Sequence, residues 1–255
     1  MSKINSIILT LLITVFGVPG LPYLNNDIKA VAEEKQELAK NNVLEDIRNT
    51  IFNNKPPVKR QPGGSRGFSI CLISPDKIVN PNYGEVNNQE NWSDRPLFNW
   101  QIQKGKVKTI EVHSQGNEKI LWSQEIDEGE TTVIYNGVQP LEAGKSYELR
   151  MTILAPFPVT TTISEFQIMD SEKRKKITDD LNLLEANLKQ KGANEEEIAL
   201  EKANYFAKQE LWSDVLRELY SVPNPSGDLM ETIEKIQEHD FCAEDESNNS
   251  QFQYL

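Results

Sequence analysis

The segment LEAGKSYELRMTI, residues 141–153, decides the class of fold, because its last seven residues alternate strictly between apolar and polar side chains. The apolar positions are Tyr147, Leu149, Met151 and Ile153, and the polar positions between them are Glu148, Arg150 and Thr152. Successive side chains of a β-strand point to opposite faces. The alternation therefore predicts a strand with one face in a core and the other in solvent.

The same period of two recurs through residues 66–169, between turns that contain glycine. The further candidate strands are 68–72, 97–102, 107–113, 119–126, 131–135 and 163–169. Closely spaced short strands with no helical pattern between them predict an antiparallel β-sandwich of the fibronectin III/Ig-like type. The missing helices exclude a doubly wound nucleotide-binding fold.

Two features of this region resemble the fibronectin type III pattern. One is Trp100 on an early strand, and the other is the segment 141–150, which contains Tyr147. The family has an L-x-P-G-x-x-Y segment there, with Ala143 in place of its proline in this chain. The resemblance implies structural roles for both aromatic residues: Trp100 in the core, and Tyr147 with its hydroxyl bonded to the backbone of the preceding corner.

The period becomes helical in residues 170–242. One apolar stripe consists of Ile177, Leu181, Leu184 and Leu188. Asn194 followed by Glu197 is a capping signal for the next helix, and residues 203–216 are similar to half of a tetratricopeptide repeat. No second copy follows at the spacing of that repeat. We therefore expect an all-α helical-hairpin region after the sandwich, and a disordered acidic tail at 243–255.

The N-terminus carries the parts of a signal peptide. An uncharged, mostly apolar run at residues 7–18 follows Lys3, and the small-residue site Ala-Val-Ala occupies 30–32. Such a run spans about 18 Å as a helix, less than a bilayer core of about 30 Å. Residues 1–32 are thus predicted to direct export to the periplasm or the exterior without a stable membrane span. Cleavage after Gly17, or an N-terminal helix that is buried or interfacial, are the alternatives.

Residues 33–65 are predicted to form a short helix and a linker. Leu44, Ile47 and Ile51 recur at helical spacing, which indicates one apolar face. Three prolines and two glycines then follow among polar residues in the segment 53–66. That composition is typical of a linker before the first strand.

Cys71 and Cys242 are the only cysteines. In an oxidising compartment an even pair is interpreted as a disulfide. Cys71 lies on the face of its strand opposite Phe68, Ile70 and Leu72. A bridge would hold the last helix against the outer face of that strand, and the alternative is two unrelated buried thiols.

The sequence offers few groups for catalysis. His113 and His239 are the only histidines, and neither H-E-x-x-H nor G-x-S-x-G occurs. We predict no catalytic residue, no metal site and no cofactor; a zinc site of both histidines and both cysteines would match no known spacing. The net charge of −12 opposes nucleic-acid binding.

The expected function is that of an exported, non-catalytic interaction module of the cell envelope. Its partner would be a protein or an envelope polysaccharide, and the possible recognition loop is 74–94, with Tyr83 and Trp92. Two alternatives remain. Trp92 covers the end of the core instead, or the protein is a cell-envelope hydrolase whose carboxylates the sequence does not pair.

The whole layout resembles a family of exported cyanobacterial proteins of unknown function. Its motifs here are RGFSICLISP at 66–75, RPLFNW at 95–100, the corner at Tyr147, LWSDVL at 211–216 and YSVPNP at 220–225. The resemblance implies an architecture and an exported location. It implies no chemistry.

Overall fold

The computed structural model describes residues 40, 42–52, 60–61, 67–75 and 90–239, with only the backbone at 60–61. The predicted signal peptide, Tyr83, Cys242 and the predicted tail lie outside these residues. The strands are β1 (Arg60–Gln61), β2 (Ser69–Ser74), β3 (Glu90–Asn91), β4 (Leu97–Lys104), β5 (Lys106–Ser114), β6 (Ile120–Glu125), β7 (Thr132–Ile134), β8 (Ser146–Leu154) and β9 (Pro158–Ile168). The helices are α1 (42–52), α2 (Ser171–Gln190), α3 (Glu195–Lys208), α4 (Trp212–Tyr220) and α5 (Gly227–Glu238).

The prediction of strands followed by helices is confirmed, and α1 precedes the strands within the segment 33–65 for which a short helix was expected. The first sheet has the order β1-β2-β4-β7 and is antiparallel. The second has the order β3-β9-β8-β5-β6. Its edge strand β3 pairs in parallel with β9, so this sheet is mixed and the expectation of purely antiparallel pairing is wrong. The sequence pattern does not predict β3, because this strand is only two residues long and lies within the polar segment 74–94.

One hydrophobic core draws side chains from both sheets. Phe98 of the first sheet lies 5.8 Å, between ring centroids, from both Trp122 and Phe166 of the second. Trp100 is buried in the same cluster. On β8 the alternation read from the sequence is reproduced, with every second residue buried. Burial of large aromatic rings is the main favourable contribution of such a core.

A second hydrophobic cluster lies on the other face of the first sheet. Ile73 and Leu97 belong to this cluster together with apolar residues of all the helices. Leu44, Ile47 and Ile51, the stripe predicted for α1, are at most 3% exposed. The first sheet therefore carries an apolar cluster on each face, with helices on one of them. In the described ranges, none of the helices combines the length and the apolar character needed to cross a bilayer.

Polar contacts fix α1 against two other helices. Lys40 Nζ lies 2.8 Å from Glu196 Oε1 at the start of α3, and it also donates to Ser226 Oγ, 3.0 Å away, before α5. Arg48 Nε donates to Thr232 Oγ1 at 2.6 Å. Burial alone would raise the pKa of Glu196, but the hydrogen bonds from Lys40 and Ser226 outweigh it, and the pKa lies below its ordinary value. Glu196 therefore stays ionised and links the starts of three helical segments.

The capping signal before α3 is confirmed. The side chain of Asn194 accepts from the N–H of Glu197, and the side chain of Glu197 accepts in return from the N–H of Asn194. This reciprocal pair satisfies two backbone donors that a helix start leaves without partners. The turn before it contains Gly192 at a φ of +85°, a conformation that glycine adopts without strain.

Candidate functional site

Among the described residues, strand β7 is the last strand of the first sheet and pairs only with β4. The N–H of Trp100 donates to the carbonyl of Thr131, and the N–H of Tyr135 donates to the carbonyl of Pro96. Hydrogen-bonding residues alternate along an antiparallel pair. The backbone N–H and C=O groups of Thr132 and Ile134 therefore point away from β4, toward the free edge of the sheet.

A cleft of about 320 Å³ lies along this edge. It is lined by Leu97, Gln124, Glu130, Thr132, Val133, Ile134, Asn136 and Tyr220. These residues come from the first sheet, from β6 of the second sheet, from the adjoining turns and from the end of α4. The cleft thus combines apolar side chains with amide, hydroxyl and carboxylate groups, the mixture that is typical of binding sites.

Two buried polar atoms near the cleft lack hydrogen-bond partners of ordinary geometry within the described part of the chain: one belongs to Tyr220, which lines the cleft, and one to Asn99, which does not. Asn99, only 2% exposed, donates from Nδ2 to Thr132 Oγ1 at 2.6 Å, but its Oδ1 accepts nothing. The hydroxyl of Tyr220 is buried near the side chains of Asn99, Thr132 and Gln237, yet forms no bond of ordinary geometry. Burial raises the pKa of Tyr220 to about 12, so this hydroxyl is neutral. Buried polar atoms without partners are rare in native proteins and call for an explanation.

The turn between β6 and β7, beside the cleft, is acidic. It carries Asp127, Glu128 and Glu130, and Glu125 ends the strand before it. Glu128 is paired with Lys106. Glu130 lines the cleft, and one of its oxygens accepts from the N–H of Asp127 at 3.2 Å. The cleft therefore has a negative rim.

Trp92, predicted for the recognition loop, is half-buried against the helices. Its indole N–H donates to Thr178 Oγ1 at 3.1 Å, and its ring packs 5.3 Å from that of Phe206, measured between centroids. The guanidinium of Arg174 lies over the ring. These contacts use the indole N–H and the ring faces within the fold. Tyr83 is outside the described residues.

Trp100 and Tyr147, predicted as structural residues, are both buried in the core shared by the sheets. The hydroxyl of Tyr147 accepts from the N–H of Glu142 at 2.7 Å. This is the contact of a tyrosine corner, in which a ring at the start of a strand fixes the preceding connection. Burial raises the pKa of Tyr147, so its hydroxyl remains protonated at neutral pH.

Replacing Tyr147 by phenylalanine tests this corner. We expect Tyr147→Phe to lower the free energy of unfolding by about 1 kcal/mol, because the N–H of Glu142 loses its acceptor while the ring stays. Urea denaturation measures the change. Tyr205→Phe is the control, since its hydroxyl binds Asp180 at the surface. A loss from Tyr147→Phe no larger than that from the control contradicts the role of the corner.

Cys71 is buried on the helix-facing side of β2, opposite Gln101 of β4. The amide of Gln101 donates to the carbonyls of Gln237 at 3.0 Å and His239 at 2.7 Å, at the end of α5. The end of α5 thus lies next to Gln101, the residue of β4 that pairs with Cys71. Cys242 lies outside the described residues, and the disulfide stays a prediction.

The two histidines belong to different parts of the fold. His113 is buried on β5, with Nε2 3.0 Å from Glu111 Oε2. His239 follows α5, and its ring meets that of Phe52, with centroids 5.2 Å apart. Across the described ranges, no three His, Cys, Asp or Glu side chains are arranged as a metal site.

Asp214 is a buried structural residue that the sequence analysis missed. Its carboxylate oxygens accept from the backbone N–H groups of Trp92 at 2.8 Å and Ser93 at 2.9 Å. Burial raises the pKa of Asp214 to about 6, although the two N–H donors favour its charged form. Because Asp214 is only 2% exposed and both oxygens are occupied, it holds α4 to the segment before β4 and is not accessible to a substrate. Its partners lie more than a hundred residues away along the chain, where no local pattern could reveal them.

Comparison with known proteins gives no relative: no family model, no curated protein and no solved structure matches this chain.

Proposed function

We propose that this protein is an exported interaction module that binds an extended peptide segment along the free edge of β7. The observation that carries the proposal is the outward direction of the Thr132 and Ile134 backbone groups beside a cleft. An unpaired strand edge offers alternating donors and acceptors, and the chemical group that matches it is another extended backbone. The cleft walls would then select among peptides through their side chains.

The proposal includes a fibronectin type III-like sandwich as the scaffold. In its support, β2, β4 and β7 form one sheet, while β5, β6, β8 and β9 form the main part of the other. The hydrogen bond between Tyr147 and Glu142 is a further feature expected of this class. Rigid sandwiches commonly present recognition sites at their loops and edges.

The proposal also places the protein in the periplasm or outside the cell. The support is the apolar run at 7–18 with the small-residue site at 30–32, together with the even pair of cysteines. A partner in that setting is an envelope or secreted protein with an accessible extended segment.

A random heptapeptide library displayed on phage tests the proposal, with the purified full chain as bait. Thr132→Pro removes the outward N–H, and proline is tolerated where a strand N–H faces away from its neighbour. Thr132→Val is the matched control, because it removes the hydroxyl but keeps the N–H. We expect peptides selected by the wild type to bind Thr132→Val similarly and Thr132→Pro about tenfold more weakly or worse.

Two results would overturn the proposed function. One is that the wild type selects no peptides. The other is that every selected peptide binds Thr132→Pro as well as Thr132→Val. Circular dichroism and urea denaturation of both variants show whether Thr132→Pro has kept the fold on which the comparison depends.

A further inference from the structure

We infer that the peptide bound at β7 carries a lysine or arginine side chain at the position opposite Thr132. This inference rests on the proposed function and adds the chemical class of the ligand. It draws on two features: the direction of a paired side chain and the charge of the rim.

Strand geometry decides where a ligand side chain would point. Neighbouring residues in a sheet direct their side chains to the same face. Thr132 pairs with Asn99, and both side chains lie on the helix-facing side of the sheet, where their hydrogen bond is found. A peptide residue opposite Thr132 would therefore direct its side chain toward the same side, where Tyr220 lines the cleft.

The rim favours a positive charge. Glu130 lines the cleft, and Glu125 and Asp127 lie close to it in sequence, at the β6–β7 turn. A cationic side chain would gain from this field on approach, and a carboxylate would be repelled. The outward backbone edge and the acidic rim thus agree on one occupant, an extended peptide with a basic side chain.

The library selection described above also tests this inference. Among peptides whose binding is lost with Thr132→Pro, we expect Lys and Arg together to be enriched at one position at least threefold over the unselected library, and Asp and Glu to be depleted. One such peptide, synthesised and titrated, should bind Glu130→Gln about threefold more weakly or worse. Glu128→Gln is the matched control, because Glu128 is paired with Lys106 and does not line the cleft.

The outcomes separate this inference from the proposed function. If peptides sensitive to Thr132→Pro are recovered without basic enrichment, the basic-ligand inference is wrong and edge binding stands. If they are enriched but Glu130→Gln and Glu128→Gln bind the synthetic peptide equally, the assignment of the charge to this rim is wrong. If no peptide is sensitive to Thr132→Pro, both proposals are wrong.

Discussion

Loss of the predicted Cys71–Cys242 disulfide is expected to lower the free energy of unfolding of the protein by up to about 5 kcal/mol. The bridge would close a loop of about 170 residues, and the chain-entropy model gives a large stabilisation for so long a loop because it restricts the unfolded chain. Cys71 is buried beside the helices, so its thiol would remain in an apolar setting after reduction.

The position of α5 supports this expectation. Gln101 already joins the strand position opposite Cys71 to the carbonyls of Gln237 and His239. Residue 242 follows three positions later. A bridge would add a covalent link where hydrogen bonds already hold the end of α5. The helices also share the second hydrophobic cluster with the sheet, so reduction should lower stability without separating helices from strands.

Non-reducing mass spectrometry of native material first establishes whether both thiols resist alkylation. Urea denaturation then compares the wild type with Cys242→Ser, each with and without dithiothreitol. We expect the reductant to shift the wild-type midpoint down to that of Cys242→Ser, and to leave the variant unchanged. Equal midpoints for the two proteins without reductant, or alkylatable thiols in native protein, contradict the disulfide.

Much of the fold follows from local sequence patterns. The alternation at 147–153 and the capping pair Asn194 and Glu197 both correspond to elements found in the structure, because each depends on neighbours within a few residues. Pro158 was not expected to begin a strand. The start of β9 could not be predicted, because the threonines that follow Pro158 interrupt the alternation of apolar and polar residues.

The placement of the helices could not be predicted in this way. In β2, residues on both faces are buried, because one face meets the second sheet and the other meets the helices. A strand covered on both sides loses its alternation, so its pattern does not say what covers the second face. The cleft beside β7 likewise arises from elements distant in sequence, and Glu130, Thr132 and Tyr220 carry no motif that links them.

The contacts of Asp214 are the other long-range feature with a large expected effect. We expect Asp214→Ala to lower the free energy of unfolding at pH 7 by about 2–4 kcal/mol, because the N–H groups of Trp92 and Ser93 would lose their acceptors. The desolvated charge that the substitution removes offsets part of this loss. Asp228→Ala, an exposed carboxyl in the first turn of α5, is the control and should cost less than about 1 kcal/mol.

The pH dependence gives a second and more specific test of Asp214. Its pKa is about 6 in the folded protein, against an ordinary value of 3.8. The folded state therefore binds a proton more readily than the unfolded chain. The contribution of Asp214 to the free energy of unfolding is therefore largest below pH 4, and it declines as the pH rises through 6. Glu218 shifts in the same direction for the same reason, burial, whereas the pKa of Glu185, about 2, acts in the opposite sense below pH 4.5.

Comparison with Asp214→Asn isolates this one group, because the other carboxyls remain in both proteins. Between pH 7 and pH 5 we expect the wild type to gain about 1 kcal/mol of stability relative to the variant, since a tenfold change in proton binding corresponds to about 1.4 kcal/mol. Urea titrations at both pH values measure the difference. Equal changes in stability for the two proteins on acidification would mean that the N–H donors stabilise the carboxylate at least as much as burial penalises it. In that case Asp214 would be ionised throughout this range, and α4 would be anchored to the segment before β4 by a permanent charge.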